Sequence, residues 1–193
     1  MPQAEPDFDS AGNDNVTSTA CTIVLCCRRS HSLMRDRHST DFARLLHANK
    51  YRLVAKKGEG TFSEVLKAQS IITGEYFGIK CMKSNFKNMD QVNSLREIQA
   101  LRRLNPHPNI IDLEEVLYDK GTGRLALVFE LMDQNVYELI RGRKQPLKPT
   151  TVKLLMYQLI KAVARMHASG IFHRDIKPEN ICECTQTPVC STI

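Results

Sequence analysis

Residues 173–180 read His-Arg-Asp-Ile-Lys-Pro-Glu-Asn, and this octapeptide constrains the fold more than any other stretch of the 193-residue chain. It follows a long segment with helical periodicity and puts a carboxylate, Asp175, an ammonium, Lys177, and an amide, Asn180, on one short loop. A phosphoryl-transfer site needs these three side-chain types: an acceptor for a hydroxyl proton, a positive charge beside the transferred group and a neutral oxygen ligand for Mg²⁺. The loop therefore predicts a phosphoryl-transfer site.

The segment before the loop is predicted to be a long amphipathic helix. Pro149 opens it and Gly170 ends it, as is usual for proline at a first turn and glycine after a last one. Its apolar stripe consists of Val152, Leu155, Leu159, Val163 and Met166. Such a stripe needs a packing partner. Residues 133–135 are predicted to be a linker, followed by a short helix over 136–141.

Residues 51–131 have a different sequence pattern, in which short β-type segments are separated by glycine turns. Strands are predicted over residues 51–57, 63–69, 76–82, 111–118 and 124–131. After Asn85 the apolar residues recur at steps of three, which predicts one helix that ends at Asn105-Pro106. The sequence thus predicts an α+β fold with a five-stranded antiparallel sheet and one helix.

The composition, 42% hydrophobic and 25% charged, is that of a globular protein, and no apolar run is long enough to span a bilayer. Residues 1–20 carry four acids and no base, unlike a secretory signal. Seven scattered cysteines favour reduced thiols over a disulfide framework. We therefore expect a protein of the cytoplasm or nucleus. Residues 1–48 are predicted to be a disordered extension, with one helical turn around 41–47.

The net charge of +6 does not by itself indicate a nucleic-acid-binding protein. The Lys and Arg residues are dispersed among acids and are not gathered with aromatic residues into one stripe. We expect a solvated basic surface, with neither nucleic acid nor a membrane as partner.

A glycine-rich turn, Gly-Glu-Gly-Thr-Phe-Ser-Glu-Val at 58–65, lies between the first two predicted strands. Gly58 and Gly60 would let backbone N–H groups approach phosphate oxygens where larger side chains would collide. Ser63 stands where a third glycine is usual, so the turn alone is equally consistent with an ordinary hairpin.

A lysine and a glutamate follow this turn in an informative order. Lys80 ends an apolar strand, and Glu97 lies in the helix that comes next. Separately they would be a surface lysine and a helix-face acid, but their order after a glycine turn favours a pair. Residues 125–132 then predict a buried strand that leads into a linker, where backbone groups of Glu130 and Met132 can bond a purine edge. A plain core strand is the alternative for this last segment.

Together the glycine turn, Lys80, Glu97, the linker at 130–132 and the loop at 173–180 resemble the eukaryotic protein kinases. Lys177 is similar to the serine/threonine type, and segments such as Glu-Leu-Met-Asp resemble the CMGC group, which holds the cyclin-dependent and mitogen-activated kinases. The resemblance implies a kinase N-lobe over residues 49–132. It implies only the first helices and the catalytic loop of the C-lobe over 133–181.

The resemblance also implies roles for these residues, with ATP and Mg²⁺ as cofactors and a serine or threonine of a protein as substrate. Lys80 would hold the α- and β-phosphates, oriented by Glu97. Asp175 would accept the substrate's hydroxyl proton, Lys177 would steady the transferred phosphate, and Asn180 would bind Mg²⁺. The implied nucleotide-binding residues are Gly58, Glu59, Gly60, Val65, Gly78, Lys80, Phe129, Glu130 and Met132. A regulatory protein partner is a further expectation.

The sequence departs from the kinase pattern in three places. Lys57 stands where an apolar residue usually covers the adenine, and Gly78 stands where Ala is usual. After Asn180 there is neither Asp-Phe-Gly nor Ala-Pro-Glu, and the cysteines of the tail at 182–193 lack zinc-site spacing.

From the missing motifs we expect a truncated kinase domain that is inactive alone. The alternatives are a non-catalytic fragment that binds nucleotide or a partner and modulates the full-length kinase, and a non-functional product.

Overall fold

The computed structural model describes residues 20–23 and 38–184. Their strands are β1 (Ala20–Ile23), β2 (Tyr51–Glu59), β3 (Ser63–Ser70), β4 (Tyr76–Met82), β5 (Leu113–Asp119), β6 (Arg124–Glu130), β7 (Gln134–Asn135) and β8 (Ile181–Cys184). The helices are α1 (His38–Ala48), α2 (Met89–Asn93), α3 (Arg96–Leu104), α4 (Val136–Ile140) and α5 (Pro149–Ala168), with a 3₁₀ turn at Pro178–Asn180. No helix in these two ranges combines the length and hydropathy needed to cross a membrane.

The larger sheet confirms the predicted five strands. Its order is β2-β3-β4-β6-β5, and every neighbouring pair is antiparallel. Successive side chains of a strand point to opposite faces. On β6, Ala126 and Val128 accordingly pack in one core cluster with α1. Leu125, Leu127 and Phe129 pack in another with α3. Helices therefore cover both faces of the sheet.

Helix α1 corrects the prediction of disorder up to residue 48. It has 11 residues, whereas a single turn around 41–47 was expected. Phe42, Leu45 and Leu46 are buried in the core beside Leu66 and Ile79 of the sheet. Their spacing of three and four residues places them on one side of the helix. The rest of the predicted disordered extension and the end of the tail, residues 185–193, lie outside the described residues.

The prediction of one helix after Asn85 is also corrected, because this segment forms two helices, α2 and α3. Constant steps of three drift by about 60° each around an α-helix, so five such positions do not share one face of a continuous helix. The chain breaks at Leu95, whose ψ of 124° is extended. The break lets Val92 of α2 and Ile98 and Leu101 of α3 enter one core cluster.

Helix α5 matches its predicted bounds closely and buries part of its predicted stripe. Met166 is buried, and Leu159 and Val163 pack around it against Leu104 and Ile110. Val152, the first residue of the stripe, is 42% exposed. More apolar side chains on this helix are exposed as well, namely Met156, Tyr157 and Ile160.

A second, three-stranded sheet has the order β1-β8-β7. Strand β1 is antiparallel to β8, with Ile23 opposite Ile181 and Ala20 opposite Cys184. β7 pairs with the other edge of β8. The sheet thus includes Cys182, which the sequence analysis assigned to a divergent tail. Strand β8, which contains Cys182, follows directly after the 3₁₀ turn at Pro178–Asn180.

Candidate functional site

A cavity of about 210 Å³ lies between the five-stranded sheet and the segment that carries β7, α4 and β8. Several strands and helices contribute to its wall. The lining residues are Lys57, Gly58, Val65, Gly78, Lys80, Glu97, Ile111, Phe129, Glu130, Leu131, Met132, Asp133, Gln134, Asn135, Glu138, Glu179 and Cys182. The sheet supplies mainly apolar residues and one buried cation, which is a suitable setting for a ligand with a flat apolar part and a negative end.

The ion pair predicted between Lys80 and Glu97 is present on this wall. The Lys80 Nζ atom donates to Glu97 Oε1 at 2.6 Å and to Oε2 at 2.8 Å. Lys80 is only 7% exposed because it lies on the face of β4 covered by α3. Glu97 can reach it because it occupies the first turn of α3. A buried ammonium held in one position can stabilise negative charge that enters the cavity.

The glycine-rich turn forms the hairpin between β2 and β3, and ion pairs tie it to the sheet. Lys56 Nζ lies 2.7 Å from one carboxylate oxygen of Glu59, and Lys83 Nζ lies 2.5 Å from the other. These hydrogen bonds, first that from Lys56 and then that from Lys83, lower the pKa of Glu59 to about 2. The Lys83 backbone N–H also donates to Phe62 O at 3.0 Å. Both lysines therefore hold the turn against its neighbouring strands.

The loop at 173–180 brings its three predicted side chains together. Lys177 Nζ donates to both oxygens of Asp175, at 3.1 and 3.0 Å. Asn180 Nδ2 donates to the backbone oxygen of Asp175 at 2.8 Å and to its Oδ2 at 3.1 Å. Arg174, with φ of 63°, adopts the left-handed conformation that non-glycine residues rarely take. The loop is thus bent sharply just before Asp175 and held by side chains that follow it.

The donor set of this loop fits a cation that is held mostly by other ligands. The Oδ1 atom of Asn180 is buried and has no hydrogen-bond partner among the described atoms. No group of three or more His, Cys, Asp or Glu residues within residues 20–23 and 38–184 could hold a metal. Mg²⁺ at nucleotide sites takes few protein ligands and several phosphate oxygens. Asn180 could supply one such ligand.

The predicted nucleotide-binding residues mostly line the same cavity. Eight of the predicted site residues do so: Gly58, Val65, Gly78, Lys80, Glu97, Phe129, Glu130 and Met132. Glu59 and Gly60 lie in the adjoining hairpin and do not line it. Asp175 lines a neighbouring cleft that it shares with Glu97. Glu97 therefore borders both spaces.

Two departures from the kinase pattern lie in the cavity wall. Lys57 lines it from β2. A Cβ atom added at Gly78 would lie 3.6 Å from the Glu130 carbonyl oxygen, which is ordinary contact, so an alanine would fit there.

Several residues that follow Met132 and line the cavity were not predicted from the sequence. Asn135 accepts a hydrogen bond from the backbone N–H of Glu138, whose side chain accepts one in return, and this capping box begins α4. The pattern Asn-x-x-Glu was the only available signal for these two. Nothing in the sequence near Glu179 or Cys182 marked them as lining residues.

The comparisons with known proteins agree with this geometry. The sequence profile described as "Protein kinase domain" matches residues 51–187. The match covers most of the chain, and the chain therefore belongs to the protein kinase family. The resemblance to the protein kinases that the motifs indicated is confirmed.

Curated relatives are similar over the same region. The chain is 61% identical over 131 residues to the MAPK/MAK/MRK overlapping kinase of Mus musculus, which covers 68% of this chain and 31% of that protein. Its Homo sapiens counterpart is 59% identical over 131 residues, with the same coverages of 68% and 31%. The serine/threonine-protein kinase MAK of Homo sapiens is 38% identical over 133 residues, covering 69% of this chain and 21% of that kinase. The chain thus spans less than a third of the length of these relatives.

Proposed function

We propose that this chain binds ATP with Mg²⁺ in the 210 Å³ cavity, as the nucleotide-binding part of a serine/threonine protein kinase. The observation that carries the proposal is the Lys80–Glu97 pair, with Nζ–Oε distances of 2.6 and 2.8 Å, on the wall of that cavity. In protein kinases this pair must form before phosphates are held correctly. The adenine would lie against Val65 and Phe129, with the linker at 130–132 along its edge.

The residues of the loop would act on the protein substrate. Asp175 would accept the proton of a serine or threonine hydroxyl, since its carboxylate is fixed by Lys177 and Asn180. The Lys177 ammonium, 3.0 Å from Asp175 Oδ2, would lie beside the transferred phosphoryl group. Asn180 would give Mg²⁺ one oxygen, and the ion when bound would neutralise charge on the phosphates.

Nucleotide binding is tested by calorimetry and by thermal unfolding of the full chain, with ATP in the presence and absence of Mg²⁺. At an ATP concentration of about 100 times Kd, binding should add about 2.7 kcal/mol to the free energy of unfolding. Lys80→Met should abolish the shift, whereas Lys87→Met, which removes an exposed lysine of the same lobe, should keep it. A shift of equal size in both variants would refute the proposal. An unfolding curve without a cooperative transition would favour the non-functional product.

We further propose that the 193-residue polypeptide alone does not transfer phosphate at a measurable rate. Protein kinases hold their two Mg²⁺ ions with an aspartate and an asparagine. Among the described residues, Asn180 is the side chain that fits one of these roles, and no carboxylate cluster accompanies it. Loss of a single transition-state donor already lowers turnover by about a hundredfold or more. Phosphorylation of a basic test protein by the chain, abolished in Asp175→Asn, would disprove this.

A further inference from the structure

An irregularity in β2 places the side chains of Lys56 and Glu59 on the same face of the larger sheet. In a regular strand, residues three apart point to opposite faces. The register of β2 with β3 shifts between Lys56 and Gly58, so β2 carries one extra residue there. Lys56 lies opposite Leu66, and Glu59 lies opposite Glu64. Because Leu66 and Glu64 are two residues apart on β3, this bulge directs Lys56 and Glu59 to one face.

The bulge lets Lys56 bridge two carboxylates that face each other across the strands. Glu59 and Glu64 are directly opposite in register, and like charges in such positions destabilise a sheet. Their side chains are 12% and 8% exposed, so water and salt screen the repulsion little. Lys56 Nζ lies 2.7 Å from Glu59 and 3.1 Å from Glu64. Lys83 pairs with the other oxygen of Glu59, and we call these four residues the charge row.

The charge row adjoins the wall of the 210 Å³ cavity without lining it. Gly58 lies opposite Val65, and Val65 lies opposite Lys80, and all three residues line the cavity. Glu59 follows Gly58 and Glu64 precedes Val65, so both are one residue nearer the tip of the hairpin. No member of the charge row is among the residues that line the cavity. The charge row therefore acts on a ligand there through the position of the turn's backbone.

We propose that Lys56 is a positioning residue that holds the glycine-rich turn in place for the phosphates of a nucleotide, so that the cavity favours ATP over adenosine. This inference rests on the proposed function, because it takes ATP as the ligand. Before any ligand binds, Gly60 N–H donates to Ser63 O at 2.7 Å and closes the tip of the hairpin. A turn that is already ordered loses less conformational freedom on binding. Without Lys56, repulsion between the facing carboxylates loosens the turn.

The hold on the turn is tested without any ligand by hydrogen-deuterium exchange of the full chain, measured on peptides that contain residues 58–65. Lys56→Met should raise the exchange rate of these amides by roughly threefold or more. Lys56→Met/Glu64→Gln should return it towards that of the unmodified chain, because the facing carboxylates no longer repel. The matched control is Arg52→Met, which removes a cation that bonds Gln69 across the same two strands at their far end. This control should leave exchange at 58–65 unchanged.

The effect on ligand choice is tested by calorimetry with ATP and Mg²⁺ and, separately, with adenosine. Lys56→Met should weaken ATP binding by roughly three- to tenfold and change adenosine binding by no more than about twofold. ATP affinity should recover in Lys56→Met/Glu64→Gln and should be kept in Lys56→Arg, which retains the charge. The melting temperature of Lys56→Met should stay close to that of the unmodified chain, since the Lys56 side chain is 42% exposed.

Three results would overturn the proposal. Unchanged exchange of residues 58–65 in Lys56→Met would do so whatever the chain binds. Equal losses of ATP and adenosine affinity would show a general weakening of the lobe. If Lys56→Met/Glu64→Gln does not recover ATP affinity, Lys56 does not act by separating the two carboxylates. Raised exchange in Lys56→Met, together with no binding of ATP or adenosine by the unmodified chain, would instead refute the proposed function while supporting the hold of Lys56 on the turn.

Discussion

Lys80 and Glu97 form an ion pair on the cavity wall, and their burial determines how the pair responds to substitution. The side chains are 9% and 21% exposed, so each relies on the other for part of its solvation. Removing one charge from such a pair is more damaging than replacing both by apolar groups, because a single buried charge remains without compensation.

We therefore predict that Glu97→Met destabilises the chain more than Lys80→Met/Glu97→Met does. The single substitution should cost about 1–3 kcal/mol, less than for a fully buried pair because Glu97 is partly solvated. Urea unfolding of the unmodified chain, the two single variants and the double variant gives the free energies of unfolding for a double-mutant cycle. If the loss of the double variant equals the sum of the two single losses, the two charges do not depend on each other.

The pKa of Glu59 gives a second prediction at the scale of single residues. Hydrogen bonds from Lys56 and Lys83 lower the pKa of Glu59 to about 2, whereas the pKa of a free glutamate is about 4.3. A lowered folded-state pKa stabilises the fold above the unfolded-state pKa, and this contribution is lost as the pH falls through the folded-state pKa.

The difference in unfolding free energy between the unmodified chain and Glu59→Gln should thus be constant above about pH 5 and shrink from about pH 4 towards about pH 2. Urea titrations at several pH values measure it. Glu75→Gln, which replaces an exposed glutamate in the turn before β4, is the matched control for the loss of a surface carboxylate. A difference for Glu59→Gln that does not vary with pH would contradict the ion-pair assignment.

Among the elements, α1 adds most to what the kinase motifs imply, because it covers one face of the five-stranded sheet. Phe42 is 1% exposed and lies 5.3 Å from the Arg124 guanidinium. We predict that Phe42→Ala lowers the free energy of unfolding by about 3–5 kcal/mol, as for other large-to-small core substitutions. His47→Ala, on the exposed side of the same helix, should change it by no more than about 0.5 kcal/mol. Thermal unfolding distinguishes them, and equal effects would mean that α1 does not belong to this core.

The secondary-structure elements also differ in how well the sequence predicted them. Five strands and α5 were predicted because their periodicity and their glycine and proline boundaries are local signals. The Lys80–Glu97 pair was predicted from the order of motifs along the chain. Helix α1 was predicted only as a single turn around 41–47, and its full length was missed because its three buried residues stand among polar ones. Strand β1 is four residues long and pairs with Ile181–Cys184, far along the chain, so no local pattern marks it.

For the whole molecule, the distribution of charge and apolar surface matters more than the totals. The cavity side of the sheet is covered by α3 and by the segment from β7 to β8. Helix α5, in contrast, buries Met166 and Ala162 on one side and exposes a row of apolar side chains on the other. Exposed apolar rows of this kind promote association between molecules.

We predict that the chain associates reversibly at high concentration through the row of Val152, Met156 and Ile160. Met156→Gln/Ile160→Gln should lower the associated fraction in sedimentation velocity, because these side chains are 48% and 60% exposed and lose apolar area without opening a cavity. Its melting temperature should stay close to that of the unmodified chain. Met166→Gln, at a residue 1% exposed on the same helix, should instead lower the melting temperature sharply, since it buries a polar group in the core. If Met156→Gln/Ile160→Gln leaves the associated fraction unchanged, the row does not form the contact between molecules.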